Sequence, residues 1–156
     1  MLSPSSVLII GIGNTLRGDD GIGPAGIAAL KARGLVGAQL MTGPGDGLWL
    51  LDVWKHAGRV VIIDAVTSGG QPGAVYRFDA HRQALPTDLS FSSTHAFGVV
   101  EAIELARVLG QLPPQVVIYA IEGKHFAIGT RLSPEVERAL DEVVARVAGE
   151  AIVTRL

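Results

Sequence analysis

The chain has 156 residues, of which 48% are apolar, and this length fits one domain with a sizeable buried core. Its formal net charge of −2 provides no strong electrostatic attraction to nucleic acid or to an anionic membrane. The absence of Cys excludes disulfides, thiolate zinc sites and a cysteine nucleophile, so any protein metal ligand has to be His, Asp, Glu or a backbone oxygen.

The first predicted strand, Val7 to Gly11, runs into a glycine-rich turn that holds two adjacent carboxylates. The turn reads Gly11-Ile-Gly-Asn-Thr-Leu-Arg-Gly-Asp-Asp-Gly and leads into a predicted helix over Gly21 to Ala32. Helix N-termini present free amides and a partial positive charge, so strand–glycine–helix turns commonly bind phosphate. Here Asp19 and Asp20 place negative charge at that point instead. The turn therefore favours a cation or helix capping over a nucleotide.

A dinucleotide-binding fingerprint is the main alternative for this turn. Leu16 stands where the third glycine of that fingerprint would be, and no Gly-Lys-Ser/Thr phosphate loop follows. The two carboxylates would also repel a pyrophosphate. One carboxylate is enough to cap a helix, so two exceed what capping needs, and the turn alone does not decide which of Asp19 and Asp20 is the cap.

Four further runs predict strands. Continuously apolar segments rich in Val and Ile, Arg59 to Asp64 and Gln115 to Ile121, are typical of buried parallel strands. A weaker strand is predicted over Ala38 to Thr42. The segment Gly73 to Phe78 alternates between apolar and polar residues and fits an edge strand.

Helical periodicity separates these strands. Helices are predicted over Gly47 to Ala57, His95 to Leu109 and Pro134 to Val147. The last helix follows Ser133, with Pro at its first position and acidic residues in its first turn. The alternation predicts a three-layer α/β fold: a twisted, mostly parallel five-stranded sheet with one antiparallel strand and helices on both faces.

Polar residues follow several of these strands. In doubly wound sheets, ligands bind outside the carboxyl ends of the strands. Asn14 and Asp20 follow the first strand, Asp64 ends the strand that starts at Arg59, and Glu122 ends the last strand. The sequence therefore predicts that these side chains gather at one edge of the sheet.

Asp64 and His95 complete the predicted site. Asp64 alone is also compatible with a strand-end residue that accepts hydrogen bonds from the following turn. His95 is predicted in the first turn of a helix, where the dipole disfavours a charged imidazole, so a neutral ring acting as ligand or base fits better. With a carboxylate of the turn after the first strand, these residues form a ligand set suited to Zn²⁺ or Ni²⁺ that leaves positions open for water or substrate.

The remaining histidines and tryptophans have weaker claims to a function. His125 is a second-rank candidate, whereas His56 and His81 have the pattern of surface residues. Trp49 and Trp54 lie on one predicted helix, and we expect their side chains to pack in the core. The hydrolase signatures Gly-x-Ser-x-Gly, His-Glu-x-x-His and Asp-Thr/Ser-Gly are absent.

The N-terminal residues and the apolar runs bear on location. Residues 1–6 lack the basic start and long apolar stretch of a signal peptide, and no apolar run approaches the ~20 residues of a membrane span. We therefore expect a single domain over residues 1–156, a cytoplasmic location, no membrane insertion, no nucleic-acid partner and a monomer.

The motif from Gly11 to Gly23 resembles the opening motif of the hydrogenase maturation endopeptidases. The resemblance continues in order along nearly the whole chain. Its further segments are Ile63-Asp64-Ala65, Thr94-His95, Ile121-Glu122-Gly123 and Leu132-Ser133-Pro134-Glu135-Val136. The first motif is specific, and the other four are specific only in combination.

This resemblance implies a cytoplasmic, aspartyl-type endopeptidase. Such an enzyme removes a C-terminal extension from the large-subunit precursor of a nickel–iron hydrogenase after nickel insertion. Nickel would arrive with the precursor as a recognition element, and no resident organic cofactor is implied. The family's metal-contacting positions match Asp20, Asp64 and His95, which would also be the catalytic residues. Second-rank site residues are Asp19, Asn14 and Glu122, and with Asp20 as the ligand we expect Asp19 to cap the first helix.

One departure from the family and two rival functions remain. Many members carry an Asp-Gly-Gly-Thr-like stretch after the second strand, where this chain reads Thr42-Gly-Pro-Gly-Asp-Gly, and we interpret Asp46 as a partial substitute. A non-enzymatic nickel-binding maturation chaperone would use the same fold and the same three residues. A flavodoxin-like nucleotide or flavin module is the third hypothesis, and the acidic turn argues against it.

Overall fold

Apolar runs form a six-stranded sheet in the computed structural model, which describes residues 6–86, 89–91 and 96–153. The sheet begins with β2 (Ala38–Gly43) beside β1 (Val7–Ile12). On its other side β1 pairs with β3 (Arg59–Thr67), which pairs in turn with β6 (Gln115–Glu122). All three pairings are parallel, and β1, β3 and β6 are buried over nearly their whole length, as predicted for a sheet covered on both faces.

Two antiparallel strands complete the sheet. β4 (Val75–Asp79) pairs with β6 at the edge, which confirms the predicted edge strand. β5 (Ser90–Phe91) pairs with the end of β3. The predicted mostly parallel fold is confirmed. β5 is not among the predicted strands, because a strand of two residues is too short to show an alternating pattern.

Helices cover both faces of the sheet. Helices α1 (Ile22–Ala32) and α4 (Pro134–Val153) pack together on one face, and α2 (Gly47–Val53) and α3 (Val99–Val108) on the other. Trp54 is 1% exposed, and Trp49 packs against the same core, as predicted. Across the described residues, no helix is both long and apolar enough to span a bilayer.

Two predicted boundaries are wrong in ways that affect the site. β3 continues to Thr67, so Asp64 lies inside the strand and not at its end. The extra residues pair with β6 and β5, which prolongs the strand. α3 begins at Val99, not at His95, because the N–H of Gly98 donates to the Oε1 of Glu101 at 2.9 Å and completes the first turn. His95 itself lies outside the described residues.

Two helix ends also differ from prediction. α2 ends at Val53, four residues before the predicted end at Ala57, and the chain turns there through a bond from the N–H of Ala57 to the carbonyl of Trp54. α4 continues to Val153, beyond the predicted end at Val147, and this extra length brings Glu150 against the sheet.

Close packing between β1 and α1 requires glycine at position 23. A methyl group on Gly23 would lie 2.3 Å from the carbonyl oxygen of Ile12 and 2.7 Å from that of Ile63. These are backbone atoms of central strands, so they cannot move apart cheaply. We expect Gly23→Ala to lower the free energy of unfolding by about 3 kcal/mol, measured by chemical denaturation.

The control for this prediction is Gly149→Ala in α4. A methyl group at Gly149 would meet no atom within 4 Å, so better helix propensity should raise stability by about 1 kcal/mol. Equal stability of the two variants would contradict the packing argument.

Candidate active site

Asp20 lies on a short 3₁₀ helix, Gly18–Gly21, that follows β1 and packs against β3. Gly13 has a φ of 141°, and a side chain there would lie 1.8 Å from the carbonyl oxygen of Asp20. This glycine lets the turn fold back onto the end of β1. The turn thereby holds the Asp20 carboxylate, 4% exposed, at the carboxyl edge of the parallel strands.

Neighbours in the turn orient the Asp20 carboxylate. Its Oδ2 accepts a hydrogen bond from the backbone N–H of Asn14 at 2.9 Å and lies 3.7 Å from a guanidinium nitrogen of Arg17. The side-chain oxygen of Asn14 accepts from the N–H of Leu16 at 2.9 Å and closes the turn locally. Asn14 therefore lies beside Asp20, as predicted, and shapes the turn that carries it.

Asp64 is fully buried on β3, beside the end of β1. Its neighbour Ile63 is in register with Gly11, and the Oδ1 of Asp64 accepts from the N–H of Ala65 at 2.8 Å. Because side chains alternate along a strand and Ile62 belongs to the core under α2 and α3, Asp64 is on that same face. The chain enters α3 on this face after residues 92–95.

The predicted triad is only partly within the described residues. Among them, no three His, Asp or Glu side chains are grouped to hold a metal, and His95 is not one of them. Asp20 and Asp64 offer carboxylate oxygens, which are suitable donors for a divalent cation. That Asp20, Asp64 and His95 together form one metal site stays a prediction.

The prediction that Asp19 caps the first helix is wrong. Among the residues that the structure describes, no side chain caps α1. The Asp19 carboxylate is fully buried and accepts from the backbone N–H groups of Lys124, His125 and Ser133 at 2.7, 2.9 and 2.7 Å. The Ser133 hydroxyl donates a fourth bond at 3.0 Å. Asp19 thus joins the β1–α1 turn to the segment 123–133 that links β6 to α4. Four hydrogen bonds and complete burial also make Asp19 a poor general base.

Glu122 ends β6, as predicted, but its hydrogen bonds lead away from Asp20. It is 1% exposed and accepts from the N–H of Ser68 at 2.8 Å, from the Ser68 hydroxyl and from the hydroxyl of Tyr76 at 3.1 Å. These bonds fasten the turn after β3 to the ends of β4 and β6. The described contacts give Glu122 a structural role.

The two remaining candidates, His125 and Asp46, have local structural roles. His125 has an exposed side chain, and only its backbone bonds to Asp19. His56 and His81 are exposed, as predicted. Asp46 is the N-cap of α2, where its Oδ1 accepts from the N–H of Leu48 at 3.0 Å, which explains the residue without reference to the missing threonine.

The carboxylate-bearing α/β sheet has close relatives among known proteins. The family described as HycI, hydrogenase maturation protease, matches residues 27–150, which is most of the chain and includes Asp64 and His95. The chain belongs to the hydrogenase maturation protease family. It is therefore a peptidase, and neither the chaperone nor the nucleotide-module hypothesis is supported.

Individual relatives agree with this membership. The hydrogenase expression/formation protein HoxM of Cupriavidus necator is 31% identical over 147 residues, covering 91% of this chain and 72% of the relative. HupD of Thiocapsa roseopersicina is 28% identical over 152 residues, covering 90% of this chain and 69% of the relative. The matches to these relatives thus cover almost all of this protease.

Solved structures share its fold. The [NiFe] hydrogenase maturation protease HybD from Thermococcus kodakarensis superposes with a TM-score of 0.76 at 26% identity, covering 94% of this chain and 99% of that one. The maturating endopeptidase HybD from E. coli gives 0.73 at 20% identity, with 91% and 89% covered, and supports the fold alone.

Proposed function

We propose that this protease removes a C-terminal extension from the nickel-loaded large-subunit precursor of a nickel–iron hydrogenase. In this proposal Asp20, Asp64 and His95 contact the nickel that the precursor carries, so the ion acts as a recognition element. The observation that carries the proposal is the placement of two buried carboxylates at one edge of the sheet, on the turn after β1 and on β3. Family membership supplies the peptidase activity.

Nickel belongs to the substrate in this scheme, and it reports that metal insertion is complete. A bound divalent ion polarises a peptide carbonyl or lowers the pKa of a bound water. The protein's own residues do the remaining work of orienting the peptide bond and moving a proton. The scheme requires no organic cofactor.

In this proposal Asp20 contacts nickel through one carboxylate oxygen and acts as general base through the other, and it is better placed than Asp64 for the second role. It is 4% exposed, whereas Asp64 is fully buried, and its Oδ2 is oriented by the N–H of Asn14. Asp20 would accept a proton from the attacking water as oxygen adds to the scissile carbonyl carbon. The carbon–nitrogen bond then breaks, and the same proton passes to the departing amine.

The test compares nickel-loaded with nickel-free precursor. Each is incubated with the purified protease, and the precursor mass is followed by intact mass spectrometry. We expect only the loaded precursor to lose its extension. Equal cleavage of both forms would contradict nickel recognition, and no cleavage of either would favour the chaperone hypothesis.

Substitution of the two acidic residues tests their roles. We expect Asp20→Asn and Asp64→Asn each to lower the cleavage rate of loaded precursor by about 100-fold or more, since each loses a negative charge at the reacting centre. Asp141→Asn, an exposed residue in the middle of α4, is the matched control and should cleave at the wild-type rate. Wild-type rates for Asp20→Asn would exclude it as the base.

A further inference from the structure

Two large aliphatic side chains, Leu16 and Ile128, are exposed on neighbouring loops beside the turn that carries Asp20. Leu16 is 67% exposed and Ile128 is 82% exposed. The N–H of Gly129 donates to the carbonyl of Leu16 at 2.8 Å and joins the two loops. Leu16 precedes Asp20 by only four residues and belongs to the turn that leads to it.

A groove lies beside the same turn, and the chain neighbour of Leu16, Thr15, is part of its lining. It has a volume of about 290 Å³ and no charged residue in its lining, which includes Pro24, Ala25, Ala28 and Leu132. Gly21 keeps the groove open, since a methyl group there would lie 3.4 Å from the Cα of Thr15 and 3.9 Å from the Cδ2 of Leu132. We call Leu16, Ile128 and this groove the apolar surface.

The loops that bear the apolar surface are firmly held. Four hydrogen bonds to the Asp19 carboxylate join the loops. In addition, the N–H of Asp19 donates to the carbonyl of His125 at 2.8 Å, and the N–H of Gly18 donates to the carbonyl of Thr130 at 3.1 Å. Isolated exposed aliphatics are ordinary on protein surfaces. Two of them held together next to an uncharged groove form a preorganised site for an apolar partner.

Both loops of the apolar surface carry basic side chains, and acidic residues lie directly outside them in sequence, at positions 19, 20 and 122. The segments 14–18 and 123–132 contain Arg17, Lys124 and Arg131 and no Asp or Glu, although the whole chain has a net charge of −2. Lys124 pairs with Glu135 at 3.1 Å, and Arg17 lies near Asp20. Within the described ranges, Arg131 is exposed and has no ion-pair partner, so it is available to a carboxylate of the occupant.

We infer that the apolar surface binds an apolar segment of the precursor polypeptide, close to the bond that is cut, with an acidic group of that segment beside Arg131. This inference rests on the proposed function, because the occupant is the precursor. A peptidase must hold its substrate chain along the surface that leads to its reacting groups, and this surface begins in the same turn as Asp20. Its aliphatic side chains and basic neighbours specify the chemistry of the segment.

The test measures both binding and cleavage of the nickel-loaded precursor by the intact protease. The double variant Leu16→Ser with Ile128→Ser should weaken precursor binding about 10-fold and raise KM more than it lowers kcat, because apolar contact is lost and the catalytic turn is kept. Val108→Ser on α3 is the matched control, since Val108 is also 82% exposed, and it should change neither binding nor KM.

Arg131→Gln tests whether Arg131 pairs with an acidic group of the precursor. This variant should bind the precursor more weakly at low salt and show a smaller salt dependence than the wild type, because one screened ion pair is removed. An unchanged salt dependence would overturn the role of Arg131.

The outcomes separate this inference from the proposed function. Wild-type affinity in the double variant overturns the inference, whether or not the precursor is cut. Weaker binding by the double variant together with no cleavage by the wild type supports the surface and overturns the proposed function. A wild-type protease that neither binds nor cuts the loaded precursor overturns both.

Discussion

Asp19→Ala is expected to lower the free energy of unfolding by about 3–5 kcal/mol, because it leaves buried donors without an acceptor. Three of these donors are backbone N–H groups, which no side-chain rotation can redirect to water. The loss would also free the segment 123–133 from the β1–α1 turn. Chemical denaturation gives the stability change directly.

The control for Asp19→Ala is Asp52→Ala. Asp52 is exposed near the end of α2, and its removal should change stability by no more than about 0.5 kcal/mol. A similar small effect of Asp19→Ala would show that the segment is not held by this carboxylate. A purely capping role, as the sequence suggested, would cost only about 1 kcal/mol.

Glu150→Ala is expected to lower the free energy of unfolding by a similar amount. Glu150 lies at the opposite edge of the sheet from Asp19. Glu150 on α4 accepts from the Nε of Arg77 at 2.6 Å and the hydroxyl of Tyr119 at 2.8 Å, and it pairs with Arg59. Its side chain is 11% exposed and that of Arg59 is 10% exposed. Removing the carboxylate leaves the Arg59 charge in the interior without its partner, so we expect a loss of about 3–5 kcal/mol.

The same cluster predicts a pH dependence. Burial raises the pKa of Glu150, but hydrogen bonds from Arg77 and Tyr119 and the charges of Arg77 and Arg59 outweigh it, so the pKa lies below 4.5. The stabilisation is therefore complete above the unfolded-state pKa and is lost as the pH falls through the lower folded-state pKa. The wild type should lose more stability between pH 5 and pH 3 than Glu150→Gln, as measured by denaturation at each pH.

Glu104→Ala is the control for this cluster. Glu104 pairs with Arg107 on the surface of α3 with 47% of its side chain exposed, and such pairs contribute about 0–1 kcal/mol. Parallel pH profiles for the wild type and Glu150→Gln would contradict the role given to the Glu150 cluster.

The elements nearest to the candidate site were predictable because local patterns encode them. Continuous Val and Ile runs identified β1, β3 and β6, and the glycines after β1 identified the turn that presents Asp20. The rule that ligands lie at the carboxyl ends of parallel strands then brought Asp20 and Asp64 to one edge. These inferences need only residues that are close in sequence and a general topology.

Contacts between distant segments were not predictable in this way. The partners of the Asp19 carboxylate lie 105 to 114 residues away, and no local pattern shows that they meet. An acidic residue before a helix has a capping explanation within its own turn, so the sequence favours that explanation over a distant contact. The Glu150 cluster was missed for the same reason, since Arg59 is 91 residues away and α4 runs further than its pattern indicated.

A crystal structure of the protease soaked with Ni²⁺ tests the central claim most directly, with the ion located by its anomalous scattering. We expect one ion bound by Asp20, Asp64 and His95, with ligand distances of about 2.0–2.2 Å. An ion bound elsewhere, or an Asp20 and Asp64 that point away from His95, would contradict it.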